Sequence, residues 1–355
     1  MFGRRRIPYA LLGALAMLLS LLSGAAAASD RPSQASSCEN FDRSNFANPT
    51  NIDNQWFPLK AGTQFIWEGQ TEEDGEAIPH RVVFTVTDLT KVIDGVRTVV
   101  TWDRDYSDGQ LAETELALFA QDNAGNVWHF GQYPEVYEEG KLVEAPAWIH
   151  GIEGAQAGIT IKANPQVGAP SYCQGWGPAV GWTDRAQASQ TGQQTTVPFG
   201  SYTDVLVTEE FSQEEPNAFQ LKYYARGVGN VRVGWKGEDA TKETLELVSV
   251  VNLSPEALAA ARAEVLTLEQ RAYAISKNVY ALTPPSEPPA AAPASAAPAA
   301  APAPAEAPAT TAPKHLPRTG AAPDRQCREA LFLALGLGLA MVGWLTRRRA
   351  QTGRQ

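Results

Sequence analysis

The feature that most constrains how this chain can fold is a two-residue hydrophobic alternation, interrupted at short intervals by turn dipeptides, through the middle of the sequence. Val82, Phe84 and Val86 alternate with Val83, Thr85 and Thr87. After Asp94-Gly95 the pattern resumes at Val96, Thr98, Val100 and Trp102. Successive side chains of a strand point to opposite faces, and Asp-Gly favours the tight turn that joins antiparallel neighbours. Further turn signals fall at Asp108-Gly109, 123–126, Glu139-Gly140 and 227–229, and later strand-like runs cover 202–211, 221–225, 230–235 and 244–251. The pattern predicts a mainly β chain. Residues 51–253 form one antiparallel domain of some ten strands, built as a barrel, half-barrel or sandwich, and 29–50 precede it as an N-terminal segment.

One helix follows. Ser254-Pro255-Glu256 supplies an N-cap, a proline at the first helical position and an acid in the first turn. Leu258, Ala261, Val265, Leu268, Ala272, Ile275, Val279 and Leu282 then recur every three or four residues, predicting an amphipathic helix over 254–283. Its stripe suits packing on its own domain or, alternatively, a coiled coil. Residues 284–314 are almost only Pro and Ala, which cannot bury enough apolar surface to offset their ordering entropy. They read as a disordered, extended stalk.

The two ends specify an address. Arg4, Arg5 and Arg6, an apolar stretch to Leu22 and the small residues to Ala28 have the three-part order of a secretory signal peptide over 1–28. Near the other end Leu316-Pro317-Arg318-Thr319-Gly320 is followed by an apolar run over 331–345 and by Arg347, Arg348 and Arg349. Residues 315–355 resemble the sorting signal of LPxTG surface proteins. The resemblance implies that sortase cleaves between Thr319 and Gly320 and joins the chain covalently to peptidoglycan. Pro317 fixes its own φ and biases Leu316 toward extended backbone, as a peptide substrate requires. The apolar run is shorter than the roughly twenty residues that span a bilayer comfortably, but a permanent single-pass hydrophobic helix is the alternative. The expected location is the cell wall, reached from a membrane-held precursor.

Processing also clarifies the cysteines. Cys327 lies beyond the cut, leaving Cys38 and Cys173 as an even pair in an exported chain, either disulfide-bonded or two buried thiols. The net charge of −10 becomes more negative once both basic ends are removed, which disfavours nucleic acid as a partner.

A second resemblance covers most of the β region. Trp56-Phe57-Pro58-Leu59 with Gly62-Thr63, Asn126-Val127-Trp128 with Phe130-Gly131, Gly158-Ile159, Asn164-Pro165, Val197-Pro198 and Lys222-Tyr223-Tyr224-Ala225 resemble an uncharacterised family of secreted bacterial proteins. That likeness implies a single domain and assigns no activity. Residues 172–184 depart from it, with Gly175-Trp176-Gly177 and Gly181-Trp182 where the family is acidic.

Candidate chemistry is sparse. Asp103, Asp105 and Asp108 beside Gly109 place oxygen ligands at calcium-loop spacing, but the acid at the twelfth position is missing, and a solvated hairpin turn explains the same residues. His80, His129 and His150 lack zinc-site spacing, and no nucleophile elbow or phosphate loop occurs. Trp56, Trp67, Trp102, Trp128 and Trp235 read as core. Trp176 and Trp182, in a glycine-rich stretch, form a candidate ligand face able to stack on a sugar or anchor a partner. The expectation is a wall-displayed, non-enzymatic domain that binds an extracellular ligand and needs no cofactor. A hydrolase using acids that the sequence does not single out, or a purely structural surface protein, are the alternatives.

Overall fold

The structure, a computed structural model, describes residues 38–288 apart from 74, 214 and 216. The signal peptide, most of the stalk, the LPRTG pentapeptide and the apolar run at 331–345 lie outside the described residues. Among those described, no helix is long and apolar enough to cross a membrane.

The turn dipeptides shape the first half of the fold. After β1 (Thr63–Glu73), β2 (Glu76–Ile93) meets β3 (Val96–Ser107) through Asp94-Gly95, at φ 41° and 78°. Next, β3 meets β4 (Gln110–Gln121) through Asp108-Gly109, at 47° and 76°. Strand β5 (Val127–Glu138) turns into β6 (Lys141–Glu144) through Glu139-Gly140, at 51° and 72°. Two consecutive positive φ values make the hairpin turn whose twist matches that of the strands it joins. The remaining strands are β7 (Trp148–Ile149), β8 (Gln156–Ile161), β9 (Tyr172–Cys173), β10 (Gly175–Trp176), β11 (Asp184–Val197), β12 (Gly200–Ser212), β13 (Ala218–Ala225), β14 (Gly229–Gly237) and β15 (Thr244–Asn252).

All pairings are antiparallel, in the order β10-β8-β5-β4-β3-β2-β1-β15-β14-β13-β12-β11-β9, with β6 and β7 added along β5. The two ends of this path are consecutive in sequence. Cys173 pairs with Arg185 on β11, Gly175 pairs with Ala157 on β8, and Gln174 sits between them. The Gln174 N–H donates to the Asp184 carbonyl at 2.8 Å, and its side-chain amide donates to the Thr160 carbonyl at 3.1 Å. Residues 172–176 therefore close the sheet into a barrel. Gly158 permits the approach, because a Cβ there would fall 2.4 Å from the Gly175 nitrogen.

Two large apolar cores result, with a small third cluster of Trp148, Ala155 and Trp182. Phe65, Trp67, Val82, Phe84, Phe119 and Leu247 fill one side of the sheet, inside the barrel. Val100, Leu116, Leu118, Phe130 and Tyr133 form the other, outside it, and are covered by the N-terminal segment and by α1 (Pro255–Ile275). Phe46 packs edge-on against Trp128 and Phe130, with ring centroids 5.8 and 5.5 Å apart. A disulfide joins Cys38 to Cys173, with Cα atoms 4.8 Å apart, and so ties the N-terminal segment to the barrel-closing strand. The helix begins at the expected cap, where Ser254 Oγ accepts from the Ala257 N–H at 3.2 Å. It buries Ala261, Val265, Leu268 and Ala272; burying each of the larger two contributes about 1.5–3 kcal/mol.

Several sequence expectations need correction. The helix ends at Ile275 instead of 283, because the Ser276 N–H caps onto the Ala272 carbonyl and the chain folds back through a 3₁₀ turn, Tyr280–Leu282. Leu282, placed in the apolar stripe by periodicity, is 66% exposed. The first residues of the expected stalk are docked. Thr90 and Glu287 exchange backbone hydrogen bonds at 2.9 and 2.7 Å, and Arg97 pairs with the Glu287 carboxylate at 2.6 Å. Strand β11 is too polar to be visible as a strand, since its buried positions carry small residues such as Ala186 and Ala188. Trp235 is 39% exposed despite sharing the parity of Val231 and Val233, because β14 pairs with β15 only through Arg232 and Val233.

Candidate functional site

Strand parity places a polarity gradient along the barrel interior. Across β3 and β4 the inward pairs run Val99 with Phe119, Thr101 with Ala117, Asp103 with Glu115 and Asp105 with Glu113. Like charges directly opposite one another on a sheet are unfavourable, so two such buried acidic pairs need a reason beyond folding. At the apolar end, residues 52–59 fold over the interior. Ile52 bridges to Leu59, the Gly227 N–H donates to the Gln55 carbonyl at 2.7 Å, and the Phe57 ring sits 5.7 Å from that of Phe119. The Arg226 guanidinium covers the outer Trp56 ring at 4.1 Å.

Between the two ends lies a cavity of about 130 Å³. Phe57, Phe65, Trp67, Phe84 and Phe119 form its apolar wall, and Asp103, Glu115, Gln132, Asp184, Glu210 and Lys222 its polar wall. Lys222 pairs with Glu210 at 2.6 Å. Burial opposes the lysine's charge, but the Glu210 carboxylate, with Glu243 and Asp184 behind it, raises its pKa above the ordinary value. Burial pushes the Glu115 carboxyl up to about 8 even though Lys222 pulls it down, and Glu113 is raised by burial and by the charges of Glu115, Asp105 and Asp103. Glu115 therefore holds its proton at neutral pH. Burial pushes His129 down to about 3, leaving a neutral imidazole stacked on Phe119 at 4.9 Å.

Among the described residues, buried groups on the cavity wall that keep a polar atom without a hydrogen-bond partner in the protein include Glu115 Oε2, Gln132 Nε2, His129 Nε2, Trp182 Nε1 and Asn230 Oδ1. Each residue is more than nine-tenths buried. A stranded buried polar group costs about 1–3 kcal/mol, so a polar group that enters the cavity gains hydrogen bonds that the protein leaves unmade.

The residues singled out by sequence are distributed differently. Trp182 is 5% exposed, stacked on Trp148 at 6.0 Å, and faces the cavity instead of solvent. Trp176 lies on β10, paired with Gln156, and does not reach the cavity, so the two do not share an exposed face. Asp103 and Asp105 point into the barrel, whereas Asp108 sits exposed at the hairpin tip. The three therefore do not surround one point, and no group of three or more potential metal ligands gathers among the described residues. His80 is buried 2.7 Å from Glu243, and His150 accepts from the Ala157 N–H at 3.0 Å within the outer cluster of rings. Sequence reading did not identify Glu115, Gln132, Asp184, Glu210 or Lys222. The available signal was the run Asp103, Asp105, Glu113 and Glu115, acids at strand spacing on one parity.

No protein-family profile and no curated protein sequence matches the chain. Three solved structures are similar to it in part. A protein with a YmcC-like fold from Bacteroides fragilis, inferred to be exported, is 13% identical over 56% of this chain and 99% of its own, with a TM-score of 0.34. A protein from Parabacteroides distasonis inferred to be a lipoprotein is 13% identical over 55% and 97%, at 0.29. A β-barrel-like domain of unknown function from Brucella abortus is 10% identical over 55% and 100%, at 0.31. At these scores the barrel assignment rests on this chain's own strand ladders.

Proposed function

We propose that this chain is exported, displayed on the cell surface and anchored to peptidoglycan through Leu316–Gly320, where its barrel holds a small amphipathic molecule without transforming it. The observation that carries the binding reading is the set of buried, unpartnered polar atoms of Glu115, Gln132, His129 and Trp182 on a cavity that is also lined by the rings of Phe57, Phe65, Trp67 and Phe84. A ligand with one polar head and one apolar body satisfies both walls at once. The display reading is supported by the signal peptide, the stalk and the sorting pentapeptide, which occur in the order that surface attachment requires.

Each part has its own test. Binding of 2-phenylethanol to the purified chain is expected to perturb tryptophan fluorescence and to be lost in Ala117→Trp, which fills the cavity. Binding that persists in a folded Ala117→Trp protein would place the ligand elsewhere. Changing Thr319 to Ala is expected to leave the protein detergent-extractable, and continued attachment to isolated walls would exclude sortase linkage.

A further inference from the structure

We infer that the ligand is a small organic cation, an aromatic or alkyl amine whose ammonium head meets Glu115 while its apolar body lies against Phe65, Phe84 and Phe119. The inference rests on the cavity reading above and goes beyond it by choosing the sign of the head group. Four carboxyl groups line the cavity, those of Asp103, Glu115, Asp184 and Glu210, against one ammonium, that of Lys222. Lys222 is already held by Glu210 at 2.6 Å, so an anionic head would have to compete with a bound carboxylate and then face the other acids. Glu115 Oε2 is buried, lines the cavity and has no hydrogen-bond partner, and an ammonium bound beside it favours the charged carboxylate, so the proton that Glu115 holds in the empty cavity passes to solvent as the ion pair forms. His129, neutral, presents an unpartnered Nε2 on the same wall. The ring faces of Trp67 and Phe65, stacked 5.6 Å apart, add the negative quadrupole that favours cations over anions.

Three probes of one shape decide the matter on the full chain: phenethylammonium, 2-phenylethanol and phenylacetate, titrated by calorimetry. The ammonium is expected to bind at least tenfold more tightly than the alcohol, and phenylacetate not to bind. Glu115→Gln, which keeps size and shape, is expected to reduce ammonium affinity at least tenfold and to change alcohol affinity less than about twofold. Alcohol binding with no preference for the ammonium, or phenylacetate binding most tightly, would overturn the cation and leave the cavity reading intact. Failure of all three probes would remove both.

Discussion

Replacing Lys91 with methionine is expected to cost about 3–5 kcal/mol of stability, the usual penalty for breaking a buried ion pair by removing one partner. Lys91 projects from β2 beneath α1 and is fully buried. Its ammonium donates to Glu269 Oε1 at 2.8 Å, to the Tyr273 hydroxyl at 2.9 Å and to the Pro284 carbonyl at 2.6 Å, so all three donors are used. It also lies 4.4 Å from the centre of the Tyr280 ring. Burial lowers the lysine's pKa while the Glu269 charge raises it, and the pair holds as long as both members are present. Without Lys91, the Glu269 carboxylate stays buried, accepting from the Ser286 N–H and hydroxyl with no cation nearby. In thermal unfolding followed by circular dichroism, the loss corresponds to a drop in Tm of roughly 6–20 °C at 2–4 °C per kcal/mol. Lys91→Met/Glu269→Leu should lose less than the single variant, since removing both charges removes the stranded one. A single variant that loses under 1 kcal/mol would show that the pair does not hold the helix down. Lys91 also holds the Pro284 carbonyl, so the single variant should be cut faster by proteases near 284–288.

Raising the pH from 6.5 to 8 is expected to destabilise the barrel by about 2 kcal/mol, a fall in Tm of roughly 4–8 °C. The sign follows from proton counting. Between the ordinary glutamate value of 4.5 and about 8, the unfolded chain has released the Glu115 proton and the folded chain still holds it, so stability falls as pH rises. Glu113, raised for similar reasons, acts in the same direction. His129 acts in the opposite direction: from about 3 to 6.5 the unfolded imidazole is charged and the folded one neutral, so stability rises with pH and then levels. As the pH rises past 6.5 the unfolded histidine loses its charge too, so its opposing slope fades and the buried acids set the decline. Glu115 faces Asp103 across the ladder and is influenced by Glu113 and Lys222, so the titration is that of a coupled group. Glu115→Gln should flatten the decline, measured as Tm in buffers from pH 5 to 9. A wild-type Tm that does not change between 6.5 and 8 would show that these carboxyls are ionised in the folded protein.

Much of the architecture was legible in local chemistry. Asp94-Gly95, Asp108-Gly109 and Glu139-Gly140 mark three hairpins because each turn needs two residues that tolerate positive φ. Ser254-Pro255 marks a helix start because it satisfies the first turn's free N–H groups. By contrast, the helix end was not legible, since Leu282 continues the period while the chain turns back at Ser276 to satisfy Glu269 through Tyr280 and Ser286. Closure of the barrel was hidden as well. It depends on five residues, 172–176, too few and too broken by Gly175 to read as strand, that bond to β8 on one side and β11 on the other.

The site was the least legible part, because β4 is buried on both faces. Leu116 and Leu118 would be assigned to the interior by hydrophobicity, leaving Glu113 and Glu115 for solvent, yet the structure reverses them. The leucines pack outward in the cluster covered by the N-terminal segment and α1, and the acids point into the barrel. A period of two states that the faces differ without stating which is inside. The sequence by itself determined the alternation, the hairpins and the helix start, all properties of neighbouring residues. Only the tertiary structure decided which parity faces the cavity, because that depends on what covers the outer face of the sheet, and α1 lies more than a hundred residues along the chain from β4.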